Sequence, residues 1–177
     1  MDDMVRDLPD AADMSVTGAL GDCIEGIDHI AVAVPDLEEA IDWYTTKLGF
    51  RIIERRMTRG ERTEMISAVV VAGGAVVVLI QGSSPESQVS RFIEHFGPGV
   101  QHVAFLVRDM DEAMGRLGKA GGTSDTPVLC DTGIRQVFVR REAGSGVRVE
   151  LIERRGGNFS DTSVERLFRV FEAHDLY

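Results

Sequence analysis

The sequence predicts an α+β fold in which two similar βαβββ modules are followed by a closing C-terminal helix. Three observations carry this. Gly26-Ile-Asp-His-Ile-Ala-Val-Ala-Val-Pro-Asp-Leu-Glu-Glu-Ala-Ile41 lies over Gly99-Val-Gln-His-Val-Ala-Phe-Leu-Val-Arg-Asp-Met-Asp-Glu-Ala-Met114 at a constant offset of 73, with seven of sixteen positions identical. Chance gives roughly one match in such a window, so a supersecondary unit has been duplicated. In both copies an apolar stretch leads into an Asp with a Glu three residues on, Asp36 with Glu39 and Asp109 with Glu112, which marks the start of a helix. After each helix come β-type runs separated by glycine-rich turns.

Taken in order, the first module covers about 26–84. A strand at 27–34 feeds a helix whose apolar face is Leu37, Ala40, Ile41 and Tyr44 and which stops at Gly49; strands follow at 50–57, 65–72 and 75–81, the last two joined at Gly73-Gly74. The second module covers about 99–155. Its strand at 100–107 feeds a helix with Met110, Ala113, Met114 and Leu117 on one face, ending at Gly118 or Gly121. Strands follow at 127–130, 134–140 and 146–153, the last pair turning at Gly144-Ser145-Gly146. Neither module contains a second long helical pattern. A capping box of Thr162 and Glu165 and a stripe of Val164, Leu167, Phe168 and Phe171 predict the closing helix at about 161–173.

Composition narrows the function classes. At 177 residues, 44% hydrophobic and 27% charged, the chain reads as one soluble domain over 25–177. The longest apolar stretches, 68–72 and 75–80, fall far short of the ~20 residues that span a bilayer. A net charge of −10 repels a phosphate backbone, so nucleic acid is a poor partner. Six Asp and one Arg in residues 1–22 make residues 1–24 an acidic flexible leader rather than a signal peptide, and Cys23 and Cys130 form neither a disulfide framework nor a metal spacing. A cytoplasmic setting is expected.

Two of the four histidines, His29 and His102, occupy the same register of the repeat. Strand alternation puts His29 on the face of Ala31 and Ala33 and His102 on the face of Ala104, where small neighbours leave room around both rings. Each alone reads as a core histidine bonded to a carbonyl; as a matched pair they read as ligands. Laying Val77-Val-Leu-Ile80 over Val149-Glu-Leu-Ile152 sets Glu150 opposite Val78. Glu150 interrupts an apolar run, and an ionised carboxylate there needs a salt bridge, for instance to Arg140 or Arg141, a solvated edge, or a cation. Two imidazoles and one carboxylate match the facial triad of non-haem Fe(II) oxygenases, and Val78 removes a fourth donor.

These residues and the βαβββ duplication resemble the vicinal-oxygen-chelate superfamily, whose paired modules form a half-barrel metal cup. The stretch Phe96-Gly-Pro-Gly-Val-Gln-His-Val-Ala104 and the stretch Val149-Glu-Leu-Ile-Glu-Arg-Arg-Gly-Gly-Asn-Phe159 are similar, within it, to the catalytic C-terminal domain of the 4-hydroxyphenylpyruvate dioxygenase and hydroxymandelate synthase family. The resemblance runs from about Gly26 to about Glu172. It implies that His29, His102 and Glu150 hold Fe(II), and that Ser67, Gln88, Gln101 and Gln136 supply polar groups around the substrate. It further implies that Phe138, Phe159 and Asn158 frame the substrate, with Ile80 standing where that family has an asparagine. Plainer readings stay open: alternation turns Gln101 away from His102, Gln88 can be an exposed helix residue, and both Phe can be core.

Since the family's N-terminal companion domain is missing, a homodimer is expected. The resemblance implies oxidative decarboxylation of a 2-oxo acid by O2, with hydroxylation of what remains. A second reading is an epimerase, isomerase or lyase using Co, Zn or Mn as a Lewis acid, with Gln81 as a further ligand if the strand register slips. A third is a small-molecule-binding protein without turnover.

Overall fold

The computed structural model describes residues 19–141, 144–157 and 159–177. Most of the acidic leader, and Asn158, lie outside the described residues. After a short 3-10 turn at Gly21–Cys23, the chain order is β1 (Ile24–Ala33), α1 (Leu37–Asp42), a π-helical turn at Trp43–Lys47, β2 (Arg51–Arg59), β3 (Glu64–Ala72), β4 (Ala75–Gly82) and α2 (Gln88–Phe96). Then follow β5 (Gly99–Val107), α3 (Met110–Lys119), β6 (Leu129–Asp131), β7 (Ile134–Phe138), β8 (Arg148–Arg154) and α4 (Asp161–His174).

The eight strands form one mixed sheet in the order β2-β3-β4-β1-β5-β8-β7-β6, curved into an open half-barrel. This order reads the same from either end once the modules are exchanged. β1 pairs parallel with β4, β5 pairs parallel with β8, and β1 meets β5 antiparallel at the centre. The repeat survives in the register: Ala31 pairs with Val78, and its counterpart Ala104 pairs with Glu150.

Both module helices start as their sequences require. Asp36 and Asp109 each accept the backbone N–H of the Glu three residues on, at 2.9 Å, satisfying one of the donors a helix start leaves open. A second donor at each start is met from the last strand of the same module: Gln81 Oε1 accepts from Leu37 N at 2.7 Å and Glu153 Oε2 from Met110 N at 2.8 Å. Gln81 is therefore committed to a helix start, which corrects the suggestion that it serves as a metal ligand. Leu37 and Ile41 of α1 pack on Ala68, Val70, Val77 and Leu79, while Met110 and Ala113 of α3 pack on Val107, Val137 and Leu151. With each large side chain contributing ~1.5–3 kcal/mol, these two layers cover one face of the sheet and leave the other to form the cup.

Three local expectations are corrected. A helix, α2, lies between the modules; its stripe of Val89, Phe92 and Phe96 is short and bounded by Pro85 and Gly97-Pro98, which masked it. α4 is capped by Ser160, whose hydroxyl accepts from Ser163 N at 3.2 Å, and not by Thr162. β7 ends at Phe138 and β8 begins at Arg148, so their link is longer than a tight turn.

α4 crosses the mouth of the cup and is tied down at its far end. Glu172, buried, accepts the backbone N–H groups of Glu61 at 2.6 Å and Thr63 at 2.8 Å, and the Thr63 hydroxyl at 2.6 Å. Burial alone pushes its carboxyl up, but the bonds from Thr63 and this turn outweigh that and hold it below its usual value. Gly60 is required beside it, because a Cβ there would lie 2.4 Å from the Glu172 carboxyl carbon. Glu172→Ala strands these donors. At ~1–3 kcal/mol per buried unsatisfied group, the expected cost is about 3 kcal/mol, a fall in Tm of roughly 6–12 °C in a thermal melt. An unchanged Tm would show that the turn is held by other contacts.

Candidate metal centre

The centre is assembled where β1 and β5 cross the pseudo-two-fold axis. His29 pairs with Ala104 and Ala31 with His102, so the two imidazoles stand on adjacent strands in equivalent positions. Each is preceded by a β-bulge. The register passes from Ile27 opposite Phe105 to His29 opposite Ala104, leaving Asp28 unpaired, and from Ala31 opposite His102 to Val32 opposite Val100, leaving Gln101 unpaired. An inserted residue breaks strict alternation. Gln101 thus shares the cup with His102, against the expectation that it points away. Both bulged side chains bond the adjacent ring: Asp28 Oδ1 lies 2.8 Å from His29 Nδ1, and Gln101 Oε1 contacts His102 Nδ1. With an acceptor oxygen at each Nδ1, the tautomer that these contacts favour carries its proton there and leaves Nε2 as the inward-facing donor atom.

Three electron-rich atoms then converge. The two Nε2 atoms are 3.3 Å apart, and Glu150 Oε2 lies 3.5 Å from His29 Nε2 and 3.3 Å from His102 Nε2. Atoms so spaced lie on a circle of about 1.9 Å radius, and a cation at the ~2.1 Å typical of imidazole and carboxylate donors fits just above its plane. Glu150 is fully buried and its Oε1 has no hydrogen-bond partner, an arrangement that is costly without a counter-charge. Burial pushes its carboxyl up to about 7, while burial, reinforced by the Arg148 charge, pushes His102 down to about 3. A His102 imidazole kept neutral beside an uncompensated carboxyl suits a divalent cation. The salt bridges considered for Glu150 are absent among the described residues: Arg140 pairs with Asp125 instead.

The donors open into a cavity of about 490 Å³, well within the range of small-molecule sites. Ser67, Gln88, Gln101, Gln136, Ile80, Phe138 and Phe159 all line it, as does Val78 at the position symmetric to Glu150. Gln88 is buried at the start of α2, not exposed. The ring of Phe138 meets that of His102 edge-on at 5.1 Å, and Val164, Leu167, Phe168 and Phe171 of α4 close the far wall. The sequence reading does not single out Asp28, Arg154 or Arg56, which also line the cavity. The offset of 73 could have found Asp28, since it aligns with Gln101.

A sequence model of the Glyoxalase/Bleomycin resistance protein/Dioxygenase superfamily matches residues 26–151. The chain belongs to this superfamily. Among the relatives of this glyoxalase-type chain, the uncharacterized protein YqjC of Bacillus subtilis is 29% identical over 143 residues, 76% of this chain and 96% of its own length. Methylmalonyl-CoA epimerase from Mycobacterium tuberculosis superposes with a TM-score of 0.67 at 26% identity, over 83% of this chain and 97% of the epimerase. A mutant of 4-hydroxymandelate synthase from Streptomyces coelicolor superposes with a TM-score of 0.75 at 24% identity, over 84% of this chain; that likeness is one of fold. The chain spans about half, 54%, of the synthase's length. Superfamily members bind divalent metals, and His29, His102 and Glu150 form a candidate site for one, with ligand atoms all within 4.8 Å of each other.

Proposed function

We propose that the protein is an Fe(II)-dependent dioxygenase that oxidatively decarboxylates and hydroxylates a 2-oxo acid bearing an aromatic or bulky apolar side chain. The observation that carries this reading is the donor count. Two imidazoles and one carboxylate converge, while Val78 stands where symmetry offers a fourth ligand. A ferrous ion on three protein donors supplies open positions for a 2-oxo acid and O2 and the redox chemistry that joins them.

The chain's own residues bind, orient and shield. Asp28 and Gln101 hold the two ring protons at Nδ1, which keeps both Nε2 atoms as donors. Phe138, Phe159 and Ile80 frame an apolar substrate body, and Ser67, Gln88, Gln101 and Gln136 offer the few polar contacts that fix its orientation. The apolar stripe of α4 keeps water from the reacting centre. Cytoplasmic location and a homodimer fit this reading. No helix among the described residues is long and apolar enough to cross a membrane.

The near full-length match to an epimerase favours one other reading, a metal-dependent epimerase or lyase using Co, Zn or Mn. Gln81, the extra donor that reading calls on, is spent on Leu37 N. One anaerobic experiment separates the two. Protein loaded with Fe(II) and given a panel of 2-oxo acids is expected to develop a visible charge-transfer band, then to consume O2 and release CO2. Absence of both band and O2 uptake overturns the dioxygenase; turnover without O2 favours the epimerase class. Ligand binding that survives a chelator indicates a non-catalytic binding protein.

A further inference from the structure

The two halves of the centre are equal in geometry and unequal in chemistry. Asp28 and Gln101 are the same bulged position of the repeat, and each accepts from the Nδ1 of the following histidine. One is a carboxylate and the other a neutral amide. The inequality is then extended by β8. Arg154 lies four residues beyond Glu150, on the same strand face by alternation, and its Nη2 donates to Asp28 Oδ1 at 2.9 Å while its Nε donates to Oδ2. Its guanidinium lies over the Phe159 ring, 5.0 Å from the centroid. In the other module, the position equivalent to Arg154 by the spacing that relates Val78 to Glu150 is Gly82, which has no side chain to clamp anything.

From this asymmetry we propose that Asp28, clamped by Arg154, is a positioning residue that makes His29 the stronger imidazole donor, while Gln101 leaves His102 the weaker. The inference rests on the metal reading above. A carboxylate accepting the Nδ1 proton increases the electron density at Nε2 more than an amide does, and such partners are worth 10–100-fold in metal affinity. Arg154 has two effects. Its bidentate grip fixes the carboxylate in the plane that His29 needs, and it occupies both carboxylate oxygens, so that Asp28, so close to the centre, does not itself become a ligand. One strand thereby delivers the carboxylate donor, Glu150, and the arginine that governs the histidine donor opposite.

The test is Co(II) titration of the metal-free protein, reading affinity by competition with a chelator and geometry by the visible d–d bands. Asp28→Asn is expected to bind Co(II) ~10–100-fold more weakly with shifted bands. Arg154→Gln is expected to weaken it in the same direction, and Arg154→Lys, whose ammonium keeps the charge but not the two-pronged grip, to recover only part of the loss. If Asp28 and Arg154 act as one unit, the double variant Asp28→Asn/Arg154→Gln binds within about twofold of Asp28→Asn alone. Gln101→Glu, which puts a carboxylate under His102 as well, is expected to tighten binding, and it keeps the proposal testable if the Asp28 variant fails to fold. Co(II) affinity and bands unchanged in Asp28→Asn or in Gln101→Glu, or losses that multiply in the double variant, overturn the proposal. Retention of Co(II) by His29→Ala overturns the metal reading itself, a separate result from any effect at Asp28.

Discussion

Glu150→Ala and His102→Ala are expected to abolish stoichiometric Fe(II) binding, lowering affinity by more than the ~100-fold that losing a supporting partner can cost. Each removes one of the three donors found among the described residues, at a site whose fourth symmetric position is Val78. His95→Ala and His174→Ala keep the metal: His95 lies in the last turn of α2 with Nδ1 against the Arg91 carbonyl, and His174 ends α4. Metal content per chain after anaerobic loading and desalting reads the result, and stoichiometric iron retained in either of the first two variants refutes the ligand set. Stability sharpens the distinction. In the metal-free protein Glu150 Oε1 is buried without a partner, so Glu150→Ala removes an uncompensated group and leaves the metal-free Tm unchanged or raised. A residue holding a structural salt bridge would behave in the opposite way.

Metal affinity is expected to climb ~10-fold per pH unit from about pH 5 to 7 and to level off above, because binding displaces the proton on Glu150, whose carboxyl burial pushes up to about 7. His102, held down to about 3, adds no slope in that window. The sign for stability follows from the raised value. In the metal-free fold the protonated acid is the favoured form, so its contribution is full below 4.5 and is lost as pH rises through about 7. A bound cation reverses this by favouring the carboxylate, so the metal-induced rise in Tm grows with pH over the same interval. Titration of Co(II) in weak buffer, with the released protons counted, checks it. Glu150→Gln should flatten the curve, and an affinity independent of pH between 5 and 8 in the unsubstituted chain refutes the assignment.

The duplicated segment was readable because duplication keeps residue identity as well as pattern. The offset of 73 predicted equivalent strands, equivalent helix caps at Asp36 and Asp109, and equivalent histidines, and all of these recur in the register of the sheet. Glu150 was readable because it breaks an apolar run on a strand whose counterpart holds Val78. Helix α2 was not, since nine residues between breakers leave too few turns for a period to stand out. The bulges were hidden for a different reason. Strand alternation turns Gln101 away from His102, and only the pairing of β1 with β5 shows that an extra residue on each strand brings Asp28 and Gln101 round to the rings.

Sequence alone thus determined the two-module architecture, the candidate donor types and the open fourth position, since these depend on local periodicity and on a repeat that each half carries within itself. Tertiary structure decided which groups support those donors: the Asp28–Arg154 clamp, the diversion of Gln81 to a helix start, and the Glu172 tether holding α4 across the cup. Each of these joins residues 44 to 126 positions apart. Such contacts form only once the fold has brought distant segments together, and no local pattern encodes them.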